Sequence, residues 1–496
     1  MVEHSLDEVL HPRSIAVVGA SDSPDGRGSQ YFQAVMDFGF KGDIYPVNPK
    51  YAEVSGIKAY PSIRDIQGHV DFVISAAPAP QVPRIMQDCV EKGVKGIHLF
   101  TARFSETGRQ DAAELEKRIL AIAKKGGVRI IGPNCMGVYY PQWGMTFQPV
   151  FPQEYGPVAL ASQSGQAAGE IIGKTTQRGA FFNKAISYGN AIDFNECDFL
   201  EYFANDPEIK VIMMYIEGPK DGKRFFNLLR EATRKKPVVI IKGGRGRSGT
   251  RATASHTASL AGSIEVWDTM IKQSGAIPVK NIDELVDVAV AFHYLPPIVG
   301  RRVGVTAGAG GATVLAADQC EEAGLDVIPL PQDIREELKN KGIQIWDWIS
   351  NPTDFSIGMG DNNFGPPQLL KMMAMHPNFD LIIASVNVPG MGGPRPNPKR
   401  MPKGDNLPPW ANFNLSVDAL VQPYKEINEY KPVLGLISDK SASMKDLNDP
   451  ISEKVWKLTC EVSAKLIELK IPYFPTVSRA ASAASKVIGY YQNKQS

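Results

Sequence analysis

Three times along this chain a short apolar run breaks into small residues and then into a helical pattern. The first is Ser14-Ile-Ala-Val-Val-Gly-Ala20, continued by Ser21-Asp-Ser-Pro-Asp-Gly-Arg-Gly28 and a helical stretch from Gln30 to Phe38. The second is Gly156-Pro-Val-Ala-Leu-Ala161, continued by Ser162-Gln-Ser-Gly165 and Gln166-Ala-Ala-Gly-Glu-Ile-Ile172. The third is Arg301-Arg-Val-Gly-Val-Thr306, continued by Ala307-Gly-Ala-Gly-Gly311 and a helix from Ala312 to Gly324. Continuous apolar runs of this length, bounded by turn residues, read as strands buried on both faces of a parallel sheet. Strand, tight turn and helix in that order build open α/β sheets, whose ligands lie outside the carboxyl ends of the strands. The chain has 496 residues, too many for one core, and domains of about 150 residues give three. The expected boundaries are 1–150, 151–298 and 299–496, with Pro296-Pro297 marking the last.

The totals exclude several function classes. Basic and acidic residues number 54 and 53, so the net charge of +1 argues against broad nucleic-acid binding. No run of about twenty apolar residues occurs, so no membrane span is expected. The start, with Glu3, His4 and Asp7, lacks the basic patch and apolar run of a signal peptide. Five scattered cysteines show no metal-ligand spacing and fit a reducing cytoplasm, so no metal site is expected and the location is cytoplasmic.

Positive charge is concentrated in one place. Lys236-Pro-Val-Val-Ile-Ile241 reads as a buried strand, and it leads into Lys242-Gly-Gly-Arg-Gly-Arg-Ser-Gly-Thr-Arg251 and on to His256. A helical pattern resumes at Ile264-Glu-Val-Trp-Asp-Thr-Met-Ile271. A neutral imidazole is a good nucleophile for a phosphoryl group, and arginines with glycine N–H groups can hold the anion. A surface histidine on a flexible connector is the other reading. Ser162, Gln163, Ser164 and Gly165 stand where a helix begins, which makes either an anion site or a plain N-cap. Glu217 ends the apolar run Ile209-Lys-Val-Ile-Met-Met-Tyr-Ile216, where a carboxylate can fix an imidazole tautomer or serve as a solvent-paired cap.

The first domain opens as strand, turn, helix and strand, but its glycines do not form a clean Gly-x-Gly-x-x-Gly. Lys50, not an acid, follows the second strand, which disfavours the ribose diol of NAD and favours a phosphorylated nucleotide such as coenzyme A. His98 lies inside a strand pattern and reads as a packed histidine.

Four motifs in order, Gly132-Pro-Asn-Cys-Met-Gly137, Ala161-Ser-Gln-Ser-Gly165, Tyr215-Ile-Glu-Gly218 and Ser255-His-Thr-Ala-Ser-Leu-Ala-Gly262, give the chain a resemblance. It resembles the alpha-type subunits of the NDP-forming acyl-CoA synthetases, relatives of succinyl-CoA synthetase, over nearly its whole length. The resemblance implies a Rossmann-like CoA-binding domain followed by two flavodoxin-like doubly wound domains. It implies interconversion of acyl-CoA, phosphate and ADP with carboxylic acid, CoA and ATP, through an acyl phosphate and a phosphohistidine. His256 would carry the phosphoryl group and Glu217 would contact it. Gly19, Ala20, Ser21 and Pro78 would meet coenzyme A, with Asn48 and Lys50 at its adenosine end. Asn134, Ser162, Gln163, Ser164 and Gly165 would form the phosphate site. No P-loop or ATP-grasp region is present, so ATP/ADP and Mg²⁺ are expected on a separate beta-type subunit, in a hetero-oligomer, with a homodimer of this chain as the alternative. Arg103-Phe104 stands where the family carries small residues. Trp346, Trp348 and the proline-rich insert 394–410 depart from the family pattern and name no substrate. Two other classes stay open: a non-catalytic CoA or acyl-CoA binding module, and an NAD-linked oxidoreductase.

Overall fold

The computed structural model describes residues 5–23, 25–249, 263–308, 310–354, 364–388, 416–437 and 450–495. Two compact units divide the chain, Met1–Ala289 and Val290–Ser496. Among the described residues the first unit holds two large sheets and a two-stranded hairpin, and the second holds one sheet.

The first sheet is all parallel. Its strands are β1 (Ser14–Val18), β2 (Asp43–Val47), β5 (Phe72–Ser75), β6 (Gly96–Leu99) and β7 (Arg129–Ile131), in the order β2-β1-β5-β6-β7. A small hairpin, β3 (Glu53–Val54) and β4 (Ile57–Lys58), follows β2. Every residue of β1, β5 and β6 is buried, as their unbroken apolar runs require. The helices are α1 (Leu6–Leu10), α2 (Arg27–Asp37), α3 (Val82–Lys92) and α4 (Gln110–Gly126). α3 and α4 each stop at a left-handed glycine, Gly93 and Gly127, where a side chain would be strained. Val73, Ile97, Ile130, Met86 and Ile119 lock sheet to helices in one cluster. Each such side chain contributes roughly 1.5–3 kcal/mol on burial.

The second sheet contains β8 (Gly137–Tyr139), β9 (Val158–Ser162), β10 (Phe182–Ser187), β11 (Val211–Ile216), β12 (Val238–Lys242) and β13 (Ile277–Val279), in the order β13-β12-β11-β9-β10-β8. Its four crossovers join parallel strands and carry α5 (Gly165–Thr176), α6 (Glu196–Asn205) and α7 (Gly222–Lys235), then the helix Ile264–Ser274. β8 alone pairs antiparallel, against β10. Residues 139–157 read in the sequence as a connector, yet β8 at its start adds an edge strand to the second sheet. Both sheets share one logic: the first strand sits between the second and third, so the switch points fall at β1/β5 and β9/β11.

The second unit has β14 (Val303–Thr306), β15 (Leu381–Ser385), β16 (Val433–Leu436) and β17 (Tyr473–Phe474), parallel and in that order. On the far side of β14, where a second strand would stand, the described residues form only the isolated bridges Arg302↔Asp326 and Thr306↔Thr353. Trp346 packs against the core of this unit, while Trp348 is exposed. The insert 394–410 lies outside the described residues.

Candidate functional site

The β1/β5 switch point is built by close backbone approach. Gly19 ends β1 at φ +92° and donates its N–H to Val47 O at 2.9 Å. α2 arrives with Gly28, whose absent Cβ would lie 2.2 Å from Gly19 O. Only glycine lets the helix meet the turn that closely. The sequence reading passed over Gly28, because its spacing from Gly19 matches no dinucleotide fingerprint. Asn48 Nδ2 donates to Ala20 O at 2.8 Å, and its Oδ1 accepts from Lys50 N at 3.1 Å, so Asn48 braces the turn. The Ser21 hydroxyl is 2.8 Å from Ser29 Oγ. Gly26 begins α2 without a side-chain cap, which leaves first-turn N–H groups available to an anion. Lys50 and Pro78 are exposed at the same sheet edge.

A second group joins the two sheets. Asn134 stands at φ +58° after the Gly132–Pro133 turn, donates its N–H to Thr101 O at 2.9 Å and reaches Asn190 Oδ1 at 3.4 Å. Asn190 N donates to Pro133 O, and Asn190 Nδ2 donates to Glu106 Oε2 at 2.7 Å and Glu116 Oε2 at 3.0 Å. Gly189 lies so close that a Cβ would meet Pro133 O and Asn134 O at 2.3 Å. Arg103 belongs to this joint. Its backbone holds φ +79°, and Glu106 accepts from its N–H and from that of Phe104. Arg103, Asn134 and Ala191 are three of the non-glycine residues at positive φ, a conformation that clusters at functional sites.

The third group lies at the β9/β11 switch point. Ser164 caps α5, accepting from Ala167 N at 3.3 Å, and Ser162 Oγ donates to Ser164 O at 2.7 Å. The Gln163 carboxamide turns toward β11: its Oε1 accepts from Glu217 N at 2.6 Å and Gly218 N at 3.2 Å. Gln163 therefore shapes the Glu217 turn, while Gly165 opens the helix whose first amides face outward from its dipole. A Cβ on Gly165 would touch Met136 Cγ at 2.5 Å, so the segment 132–137 closes against this turn.

Glu217 is 9% exposed, and its Oε2 is buried with no hydrogen-bond partner among the described residues. Burial pushes the Tyr215 phenol up to about 12, with help from the Glu217 charge and their hydrogen bond. Lys242 Nζ donates to Glu217 O and Gly243 O at 2.6 Å each, and burial lowers its ammonium pKa against the pull of Glu217. A Cβ on Gly243 would meet Tyr215 Oη at 2.8 Å and Glu217 Cγ at 3.2 Å. The chain thus leaves β12 in contact with Glu217, and Arg245 is held by Asp268 through two bonds of 3.0 and 2.9 Å. His256 follows on this stretch and lies outside the described residues. Tyr188 and Glu196, to which the sequence reading gave no role, are fully buried near Glu217. Among the described residues no group of three His, Cys, Asp or Glu side chains could hold a metal ion. None of their helices is long and apolar enough to cross a membrane.

Comparison with known proteins settles the family. Residues 13–141 match the family model described as CoA binding domain, and residues 155–292 match the succinyl-CoA ligase like flavodoxin domain. The chain is 37% identical over 449 residues to the acetate–CoA ligase [ADP-forming] II subunit alpha of Pyrococcus furiosus, covering 89% of this chain and 93% of that protein. The chain belongs to the alpha-type chains of the NDP-forming acyl-CoA synthetases. A second relative, the acetate–CoA ligase [ADP-forming] I subunit alpha of the same organism, is 37% identical over 367 residues, 72% of this chain and 78% of that one. A dinucleotide forming acetyl-coenzyme A synthetase 1 from Ca. Korarchaeum cryptofilum, solved with phosphate and ADP, superposes with a TM-score of 0.77 at 28% identity. That match covers 99% of this chain and 98% of the other. This NDP-forming synthetase chain is an acid–thiol ligase with a CoA-binding domain, and the non-catalytic binding-module and NAD readings are not favoured.

Proposed function

We propose that the chain carries the acyl and phosphoryl transfers of the reaction on its own residues and hands the phosphoryl group to ADP on a beta-type partner. The observation that carries this is the buried Oε2 of Glu217, without a hydrogen-bond partner among the described residues, set against the strand end from which the His256 segment departs. Coenzyme A lies along the carboxyl edge of the first sheet, with its phosphates near Gly19, Ala20, Ser21 and the α2 amides. Asn48 and Lys50 border its adenosine end, and Pro78 borders the pantetheine arm.

A phosphate oxygen attacks the thioester carbonyl near Asn134. The C–S bond breaks, CoA leaves as thiolate and takes a proton, and an acyl phosphate forms. The imidazole of His256 then attacks phosphorus; the bond from phosphorus to the acyl oxygen breaks, and the carboxylate departs. Glu217 accepts the far N–H of the imidazole and stabilises its cationic phosphorylated form. The Gly165 end of α5 holds the phosphoryl oxygens, with Ser162, Gln163 and Ser164 shaping that turn. ADP finally takes the phosphoryl group as the P–N bond breaks. Mg²⁺ and nucleotide belong to the partner, in a cytoplasmic hetero-oligomer. Acetate, named for the relatives, is one candidate acid.

The test supplies labelled phosphate and a panel of acyl-CoAs to the chain, alone and with its partner. Acid-labile, base-stable label on protein is expected, and His256→Ala should abolish it. Label that survives His256→Ala, or none under either condition, would sink this reading. ATP, acid and CoA should give thioester only when the partner is added.

A further inference from the structure

A chain of close contacts runs from Pro78, at the end of the first sheet, to the turn that opens α5. Thr101 Oγ1 donates to Ala77 O, beside Pro78, at 2.6 Å, and Thr101 O accepts from Asn134 N at 2.9 Å. Two residues beyond Asn134, Met136 meets α5: a Cβ on Gly165 would stand 2.5 Å from Met136 Cγ and 3.5 Å from its Cβ. The Met136 backbone is clamped from two sides. Its N–H donates to Ser187 Oγ, at the end of β10, at 3.1 Å, and its carbonyl accepts from Tyr31 Oη, on α2, at 2.9 Å. Both partners are buried. The flanking residues leave this place to Met136. Cys135 is buried with its Sγ toward Leu99 O, and a Cβ on Gly137 would fall 2.5 Å from His98 Cε1. Met136 itself is half-buried, so its side chain lies against the first residue of α5 with one side open. Phe100, also half-buried, directly follows β6 and adjoins Thr101, and its ring stands edge-on to that of Tyr31 at 5.7 Å.

We propose that Met136 determines acyl-chain length, its thioether closing the slot between Asn134 and the Gly165 turn, so that the substrates are CoA thioesters of short acids. The inference rests on the reading in which phosphate attacks the thioester near Asn134. The thioester carbon then lies between the pantetheine arm along Pro78 and the phosphate oxygens at Gly165, and the acyl tail departs from that carbon. Met136 is the apolar side chain that residues 134–137 present along this line, with Phe100 bordering it on the α2 side. Because its backbone is pinned, Met136 yields to a longer tail only by turning its side-chain torsions, and on one side α5 already blocks it. A methylene gained or lost in such a pocket is worth about tenfold or more in specificity. The side chain is unbranched and takes no part in the two backbone hydrogen bonds, so truncating it lengthens the slot while those bonds stay in place.

The test compares acetyl-, butanoyl- and hexanoyl-CoA on the full chain with its partner, as kcat/KM for ATP formation and as label from phosphate on protein. The unaltered protein should favour acetyl- over hexanoyl-CoA by about tenfold or more. Met136→Ala should raise the hexanoyl-to-acetyl ratio of kcat/KM by about tenfold or more, whereas Met136→Leu, of similar volume, should hold it within about threefold. Calorimetric titration of free CoA, which has no acyl group, should give affinities within about threefold for all three proteins. A role in packing alone would lower kcat/KM for every acyl-CoA alike, and a ratio that does not move overturns the proposal. So does an unaltered protein that uses hexanoyl- and acetyl-CoA equally well. Should Met136→Ala fail to fold, judged by lost CoA binding, Met136→Val and the preference of the unaltered protein decide by the same rule. An unaltered protein that takes no label from any acyl-CoA overturns both this proposal and the reading beneath it, whereas label with an unmoved ratio overturns only this one.

Discussion

Arg103 holds a conformation that its own side chain resists. A non-glycine residue in the left-handed region costs about 1–2 kcal/mol. Arg103 is exposed, so little packing offsets this. Arg103→Gly should raise stability by about 0.5–1 kcal/mol after the added chain entropy of glycine; matched urea titrations would show it, and a lower midpoint would refute it. His98 makes a second prediction. Its ring is buried, sits where a Cβ on Gly137 would fall 2.5 Å from it, and lies 3.1 Å from Cys135 O. Burial, the larger cause, lowers its pKa to about 4. The unfolded chain, with an ordinary value of about 6.5, binds the extra proton between these values. Stability is therefore full above about pH 6.5 and falls by up to about 3 kcal/mol as pH drops through the folded value. His98→Gln should flatten that slope in denaturation at pH 7 and pH 4.5. Residue chemistry was legible where type alone restricts it, as with a histidine inside an apolar strand. Gly28 was not, because its role arises from the backbone of Gly19 that β1 brings beside it.

At the scale of elements, the strand–turn–helix units were readable because burial on both faces leaves no alternation and the turns need small residues. α2 starts at Arg27, earlier than the apolar pattern at Gln30 suggests, since its first turn packs through glycine and serine. β8 escaped because three residues among tyrosine, proline and tryptophan carry no period. The motif Ser162–Gly165 was legible as a helix start, but the direction of Gln163 was not, because its partners lie on β11. Ser164→Ala should cost about 1 kcal/mol through the lost cap on Ala167 N. An unchanged urea midpoint would show that the cap is replaced by a neighbour.

For the whole molecule, composition supported several α/β cores, and the expected CoA-contacting residues all fall in the first unit. A chain ended at Ile298 should bind CoA within about threefold of the full chain, a difference under about 0.7 kcal/mol. Calorimetric titration would check this, and loss of binding would mean that the second unit contributes to the CoA site. The acyl group stayed unreadable throughout, since a pocket for a small acid is made by spacing between loops and not by a motif.

The strand β8 has a consequence for how such a chain can be divided. The CoA-binding match ends at residue 141 and the ligase match begins at 155, so a cut between them leaves β8 with the first part. The second part would then present β10 as a bare edge, a row of unsatisfied amides and carbonyls that invites another copy to pair. A cut placed just before residue 137 keeps that edge covered and leaves Asn134 with the first part, but parts it from Gly189 and Asn190 of the second. The second domain therefore keeps its β10 edge covered only where β8 travels with it.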